Sequence, residues 1–181
     1  MRWVILDRDG VINHDSDAYI KSPEEWVPIA GSLEAIAALN RNGYRVVVVT
    51  NQAGIGRGLF DVATLDRIHA KMRKLVEEAG GHIEAIYHCP HPPEDGCHCR
   101  KPRTGMYEQF AKQFNVDLDG IPAIGDSLKD MQAAQSIGAE AILVETGNGK
   151  KTLKRNPELD VPTFVNLHEA VQYILFTRGS A

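Results

Sequence analysis

The chain has 181 residues, 43% of them hydrophobic, which is one domain's length and enough to bury a core. A formal net charge of −4 argues against a broad basic field for nucleic acid, and no apolar run approaches the roughly 18 residues a membrane helix needs. Asp7, Arg8 and Asp9 interrupt the first apolar run at once, so no secretory signal is read and a cytosolic location is expected.

Trp3 to Leu6 reads as a first strand. Ser32 is expected to cap a helix that carries Leu33, Ile36, Ala37 and Leu39 on one face and ends at Gly43. The run "YRVVVVT" predicts a buried central strand. A longer helix follows from about Asp61 to Ala79, with Leu65, Ile68, Met72, Leu75 and Val76 at helical spacing and Gly80-Gly81 as its stop. "IEAIYHC" is the third strand, and a loop rich in Pro, Cys and His leads to a helix with Met106, Phe110 and Phe114. "IPAIGD" gives a fourth strand, Leu128 to about Gly138 a helix and "AEAILVE" a fifth strand. A short strand, a helix and the polar tail "TRGSA" complete the chain. Strands alternating with helices imply an α/β fold, a doubly wound parallel sheet in a single domain over residues 1–181.

In such a sheet, sites form where loops leave the carboxyl ends of strands. Asp7 and Asp9 end the first strand, Thr50 and Asn51 the second, and Asp126 and Ser127 the fourth, with Asp130 one turn into the next helix and Lys101 beyond the third strand. Singly, each reads as a turn former or helix cap. Together, that many carboxylates on one edge would raise one another's pKa unless a cation sat among them, and Mg2+ is the hard cation that takes carboxylate and phosphate oxygens.

Four segments in order, "DRDG", Thr50 in "VVVVTNQ", Lys101 in "CRKP" and "GDSLKD", resemble the motifs of the haloacid dehalogenase-like phosphatases over most of the chain. The resemblance implies that Asp7 attacks phosphorus and becomes an aspartyl-phosphate, and that Asp9 protonates the leaving oxygen and later activates water. Thr50 and Lys101 would then neutralise the phosphate, and Asp7, Asp9 and Asp126 would hold Mg2+. Gly10 frees the chain to turn, so Asp9 can lean over the site. Only 42 residues separate Asp7 from Thr50, which leaves no room there for the cap domain of many relatives, so the capless form is expected.

Without a lid, recognition falls to loops. Asp15 and Tyr19, Asn51 and Gln52, Arg57 in "GIGRG", Arg100 and Ser127 are the candidate substrate contacts. Arg57 is equally readable as an exposed turn residue. The guanidinium of Arg100 beside Lys101 can fork onto a second phosphate.

The cysteines, Cys89, Cys97 and Cys99, cluster in "CPHPPEDGCHC", where with His91 they suit a closed, structural Cys3His zinc site, with His88 and His98 as rival imidazoles. The alternative is a proline-stiffened loop of reduced thiols. The resemblance implies Zn2+ on Cys89, His91, Cys97 and Cys99, a loop found in family members that act on sugar bisphosphates and on histidinol phosphate. It favours a small phosphorylated sugar as substrate, with the 7-phosphate of a heptose bisphosphate removed in the supply of activated heptose for lipopolysaccharide or other surface glycans. Ser127, where many relatives have lysine, and the short interval from His91 to Cys97 depart from the pattern. The rival readings are a histidinol-phosphate phosphatase and a non-catalytic zinc-dependent interaction module. A monomer is expected.

Overall fold

The structure, a computed structural model, describes residues 1–179; Ser180 and Ala181 of the tail lie outside the described residues, while Thr177 and Arg178 close the last helix. Six strands form one parallel sheet: β1 (Arg2–Leu6), β2 (Tyr44–Asn51), β3 (Ala85–Cys89), β4 (Pro122–Gly125), β5 (Glu140–Val144) and β6 (Thr163–Phe164), in the order β3-β2-β1-β4-β5-β6. Seven α-helices flank or connect them: α1 (Ser32–Arg41), α2 (Ala53–Gly56), α3 (Val62–Glu78), α4 (Gly105–Phe114), α5 (Leu128–Ser136), α6 (Gly149–Arg155) and α7 (Leu167–Arg178).

Because strand side chains alternate between faces, β1 feeds two cores. Val4 and Leu6 pack with Ile36 and Leu39 of α1, Ile68 and Met72 of α3 and Val171 of α7. Trp3 and Ile5 pack with Met106 and Phe110 of α4 and Met131 of α5. The Trp3 and Phe110 rings meet edge-on at 5.0 Å, an arrangement that adds ~0.5–1.5 kcal/mol beyond area burial. With helices covering both faces, the interior strands are continuous apolar runs, which is why "VVVVT" carries no alternation.

Three sequence expectations change. Ser32 does not cap α1: Gly31, in the left-handed region at φ 85°, is the N-cap, and the buried Ser32 hydroxyl donates to Val11 O at 2.9 Å, tying α1 to the loop after β1. The α5 helix stops at Ser136 rather than Gly138. The α6 helix was not anticipated, because "GKKTLKR" has no apolar stripe and buries only Gly149 and Thr152. Among the described residues no cap domain is inserted: a loop and α1 fill the interval from β1 to β2, and α2 and α3 that from β2 to β3. No helix there is long and apolar enough to cross a membrane.

Candidate active site

The connections run outward in opposite directions from β1 and β4, so their carboxyl ends open a crevice. The Asp7 N–H donates to Ile124 O at 2.9 Å, locking the end of β1 against β4. Ligand oxygens of Asp7, Asp126 and Asp130 there lie within 4.8 Å of one another. Lys101 arrives from the loop after β3, where the Asn51 side chain brackets its backbone, accepting from Lys101 N at 3.0 Å and donating to Lys101 O at 3.2 Å. Its ammonium, buried with the rest of the residue, spends its three protons on Val49 O at 2.8 Å, Asp7 Oδ1 at 3.0 Å and Asp130 Oδ1 at 2.7 Å.

One ammonium cannot neutralise three carboxylates. Burial, then repulsion from Asp7 and Asp130, pushes Asp126 up to about 9. Burial and Asp130 raise Asp7 to about 7 in spite of Lys101. Burial also works on Asp130, but the Lys101 charge and the hydrogen bonds from Lys101 and Ser127 outweigh it and hold that carboxyl below the usual range. Burial disfavours the Lys101 charge, yet Asp130 and Asp7 carry its pKa above the ordinary lysine value. A carboxyl pushed up this far by burial and by its acidic neighbours marks a place for positive charge. The donor set is all oxygen, and Gly10 (φ 83°) and Gly147 (φ 57°) close on Asp126 so tightly that a Cβ on either would overlap its carboxylate. These residues fit Mg2+.

Asp9 stands outside that trio. Its carboxylate is gripped along one edge by the Arg8 guanidinium, with Nε donating to Oδ1 at 2.9 Å and Nη2 to Oδ2 at 3.1 Å. Asn13 Nδ2 adds a bond to Oδ1 at 2.9 Å and Gln52 Nε2 one to Oδ2 at 3.0 Å. Gln52 also donates to the Thr50 hydroxyl at 2.9 Å. Thr50 is buried behind the cleft rather than lining it, so it reaches Asp9 through Gln52.

The cleft encloses about 240 Å³, and Asp7, Asp9, Asp15, Tyr19, Asn51, Gln52, Arg100 and Ser127 all line it. Asp15 accepts from Asn148 Nδ2 at 2.8 Å, joining the loop after β1 to the loop after β5. Ser127 also caps α5 in a capping box, its Oγ accepting from Asp130 N at 3.4 Å while Asp130 Oδ2 accepts from Ser127 N at 3.1 Å, and its hydroxyl donates to the same Oδ2 at 2.8 Å. Arg57 does not join them: it turns to the cysteine loop and pairs with Glu94 at 3.1 Å. Sequence reasoning missed Lys129 and Asn148, which line the same cleft. The lysine was legible in "GDSLKD" as the next cation after the motif; Asn148 had no signal, because its loop was unassigned. A larger groove of about 800 Å³ lies at the other end of the sheet, lined by Trp3, Tyr44, Phe114 and Ile121 among others, away from this chemistry.

Beside the cleft, Cys89, His91, Cys97 and Cys99 converge. Cys97 Sγ lies 3.6 Å from both Cys89 Sγ and Cys99 Sγ, and His91 Nδ1 lies 3.5 and 3.2 Å from Cys89 and Cys99. A zinc tetrahedron with bonds of ~2.3 Å has edges of ~3.8 Å, so these separations suit one ion, with Cys89 and Cys99, at 2.9 Å, closer than the ideal. Burial pushes Cys89 up to about 12, whereas at Cys97 the cost of burial is outweighed by hydrogen bonds from the Arg100 backbone and the neighbouring thiols, which bring it to about 7. His88 and His98 stand apart from the group, and His98 pairs instead with Glu108 at 2.9 Å.

A capless, doubly wound sheet with an aspartate at the end of β1, a second at the end of β4 and a buried lysine between them is the arrangement of a haloacid dehalogenase-like hydrolase. The HAD-hydrolase-like family model matches residues 98–170. A D-glycero-beta-D-manno-heptose-1,7-bisphosphate 7-phosphatase of Bordetella bronchiseptica is 56% identical over 153 residues, 84% of this chain and 86% of that protein. The protein of the same name from Neisseria meningitidis is 48% identical over 179 residues, 97% of this chain and 95% of that one. The crystal structure of D,D-heptose 1,7-bisphosphate phosphatase from B. bronchiseptica, complexed with magnesium and phosphate, superposes with a TM-score of 0.95 at 50% identity, covering 98% of this chain and 99% of that one. The chain belongs to the family of D-glycero-D-manno-heptose-1,7-bisphosphate 7-phosphatases, and with them to the phosphoric monoester hydrolases.

Proposed function

We propose that residues 1–181 form one catalytic domain that removes the 7-phosphate of D-glycero-D-manno-heptose 1,7-bisphosphate, as the names of its relatives state for them, in the supply of activated heptose. The observation that carries the chemistry is the group of Asp7, Asp126 and Asp130 around the ammonium of Lys101. Asp7 Oδ attacks phosphorus; the bond from phosphorus to the sugar oxygen breaks, and that oxygen takes its proton from Asp9. Asp9, now a base, takes a proton from water as the water oxygen attacks the phosphorus of the aspartyl-phosphate, releasing inorganic phosphate and restoring Asp7. Lys101 and the Mg2+ held by Asp7 and Asp126 neutralise the phosphoryl oxygens, which is the chemistry that ion supplies. Monoester hydrolysis can demand about 10²¹-fold acceleration, on the order of 28 kcal/mol, of which acid-base help contributes only ~10²–10⁴. Positioning and charge neutralisation must supply most of it.

The second phosphate meets Arg100 and Lys129. Partial burial and the charge of Arg100 depress the Lys129 pKa, so the two cations crowd each other, and no hydrogen bond or ion pair ties down the Lys129 side chain among the described residues. An anionic group between them relieves that repulsion. Zn2+ on Cys89, His91, Cys97 and Cys99 would fix the loop that carries Arg100 and Lys101. The α or β form at C1 is left to this rim. We read the protein as a cytosolic monomer acting on a soluble ester, in keeping with its acidic balance.

Phosphate release from heptose 1,7-bisphosphate, fructose 1,6-bisphosphate and histidinol phosphate, with Mg2+ and then with EDTA, tests the proposal. The heptose ester should be cleaved fastest, only with Mg2+, and Arg100→Ala should lower its kcat/KM about tenfold more than that of a monophosphate. Preference for the histidinol ester overturns the substrate; no metal-dependent release from any ester overturns the reaction.

A further inference from the structure

Behind Asp9 lies a buried chain of groups that the reaction does not itself use. Arg8, whose side chain points away from the cleft between two catalytic carboxylates, is 0% exposed. A guanidinium in such a place must have its donors met or it becomes costly. Nε and Nη2 are met by Asp9. Nη1 lies 3.1 Å from Nε2 of His69, a buried residue on α3. Arginine can only donate, so His69 Nε2 must carry the lone pair and the imidazole proton must sit on Nδ1. Burial, with the neighbouring Arg8 charge second, pushes the His69 pKa down to about 3, so the ring is a neutral acceptor at every working pH.

We propose that His69 is a positioning residue for catalysis: its neutral Nε2 fixes the Arg8 guanidinium in the orientation whose opposite edge holds the Asp9 carboxylate over the cleft. The chain runs from α3 through Arg8 to Asp9 and on through Gln52 to Thr50. Remove the acceptor and Nη1 is left unmet in a dry interior, so the guanidinium turns to find a partner and carries Asp9 with it. Proton transfer depends steeply on distance and alignment, whereas ester binding by Arg100 and Lys129 does not involve this chain. The inference rests on the acid-base role of Asp9 given above.

Two variants separate the hydrogen bond from packing: His69→Leu keeps volume without an acceptor, and His69→Gln keeps an acceptor near the place of Nε2. Each is measured beside Asp9→Asn, with the sugar bisphosphate, whose alkoxide leaving group needs a proton, and with p-nitrophenyl phosphate, whose leaving group does not. His69→Leu should lower kcat for the sugar ester about tenfold or more with KM within threefold, while the burst of nitrophenolate stays within threefold of the parent. His69→Gln should stay within threefold throughout. Equal losses in His69→Leu and His69→Gln, an equal loss in the nitrophenolate burst, or sugar-ester turnover in His69→Leu within threefold of the parent overturns the positioning role while leaving Asp9 in place. Should His69→Leu fail to fold, His69→Met, which likewise lacks a nitrogen or oxygen acceptor, takes its place in the same comparison, and a loss of turnover in folded His69→Gln overturns the inference. If Asp9→Asn itself still cleaves the sugar ester, the acid-base reading fails first and the inference falls with it.

Discussion

Lys101 is the residue on which the cleft turns. Its three ammonium protons are all engaged, two of them by carboxylates that would otherwise repel each other. Replacing it by methionine keeps much of the stem but leaves Asp7 and Asp130 buried without their counter-charge, and breaking a buried pair in this way typically costs about 3–5 kcal/mol. Lys101→Met should therefore both abolish turnover and lower stability to denaturant by about that amount, as read from urea unfolding followed by circular dichroism. Wild-type stability in the variant would mean that the carboxyls simply take up protons and that the lysine is not what holds them together. Asp126 is the complementary case. With no cation partner in hydrogen-bond reach among the described residues, it is raised to about 9 by burial and by its acidic neighbours, and Asn148 N, at 2.7 Å, only tempers the effect.

At the scale of elements, the loop from Cys89 to Cys99 is held by the convergence of four ligands and by a few bonds to its surroundings, among them Gly56 N–H to Pro90 O at 2.9 Å, Gly105 N–H to His98 O at 3.1 Å and the Arg57–Glu94 and His98–Glu108 pairs. Its sole regular structure is a single 3-10 turn at Pro93–Asp95, and it is braced from outside by α2, where a Cβ on Gly56 would collide with Pro90 O and Pro92. Cys97→Ser should eliminate bound zinc in elemental analysis and, by loosening Arg100 and Lys101, reduce turnover about tenfold or more. An unaltered turnover in a zinc-free variant would show that the metal does not organise the cleft. That loop was readable in the sequence, because thiols and imidazole in an eleven-residue span have few other uses. So were β1, β2 and the acidic ends of β1 and β4, since buried parallel strands appear as unbroken apolar runs and the carboxylates fall where such runs stop. His69 was not readable: Leu65, Ile68, Met72 and Val76 already complete the apolar stripe of α3, and nothing local announces a partner 61 positions earlier. Arg57 was legible only as one of two readings for a related reason, as an arginine among glycines shows reach but not direction, and the direction it takes is toward Glu94. The short α6, without a stripe, offered no periodicity to detect.

At the scale of the whole molecule, the fold joins two distant parts of the chain, for Asp7 leaves β1 and Asp126 leaves β4, and neither part holds a site alone. Their carboxyls are raised from an ordinary value of 3.8 to about 7 and about 9, which favours protonated Asp126 and partly protonated Asp7 at neutral pH when no divalent ion is present. A divalent ion can enter only by displacing those protons, so its apparent affinity should rise as pH increases from about 7 to about 9 and level off above. Calorimetric titration of the metal-free protein with Mg2+ at pH 7.5, in buffers of differing ionisation enthalpy, reads this directly. We expect protons to be released on binding, and the affinity to fall at least tenfold in both Asp7→Asn and Asp126→Asn. Binding without proton release, or an affinity unchanged by either substitution, would contradict a shared ion between β1 and β4 and with it the phosphatase site built around that ion.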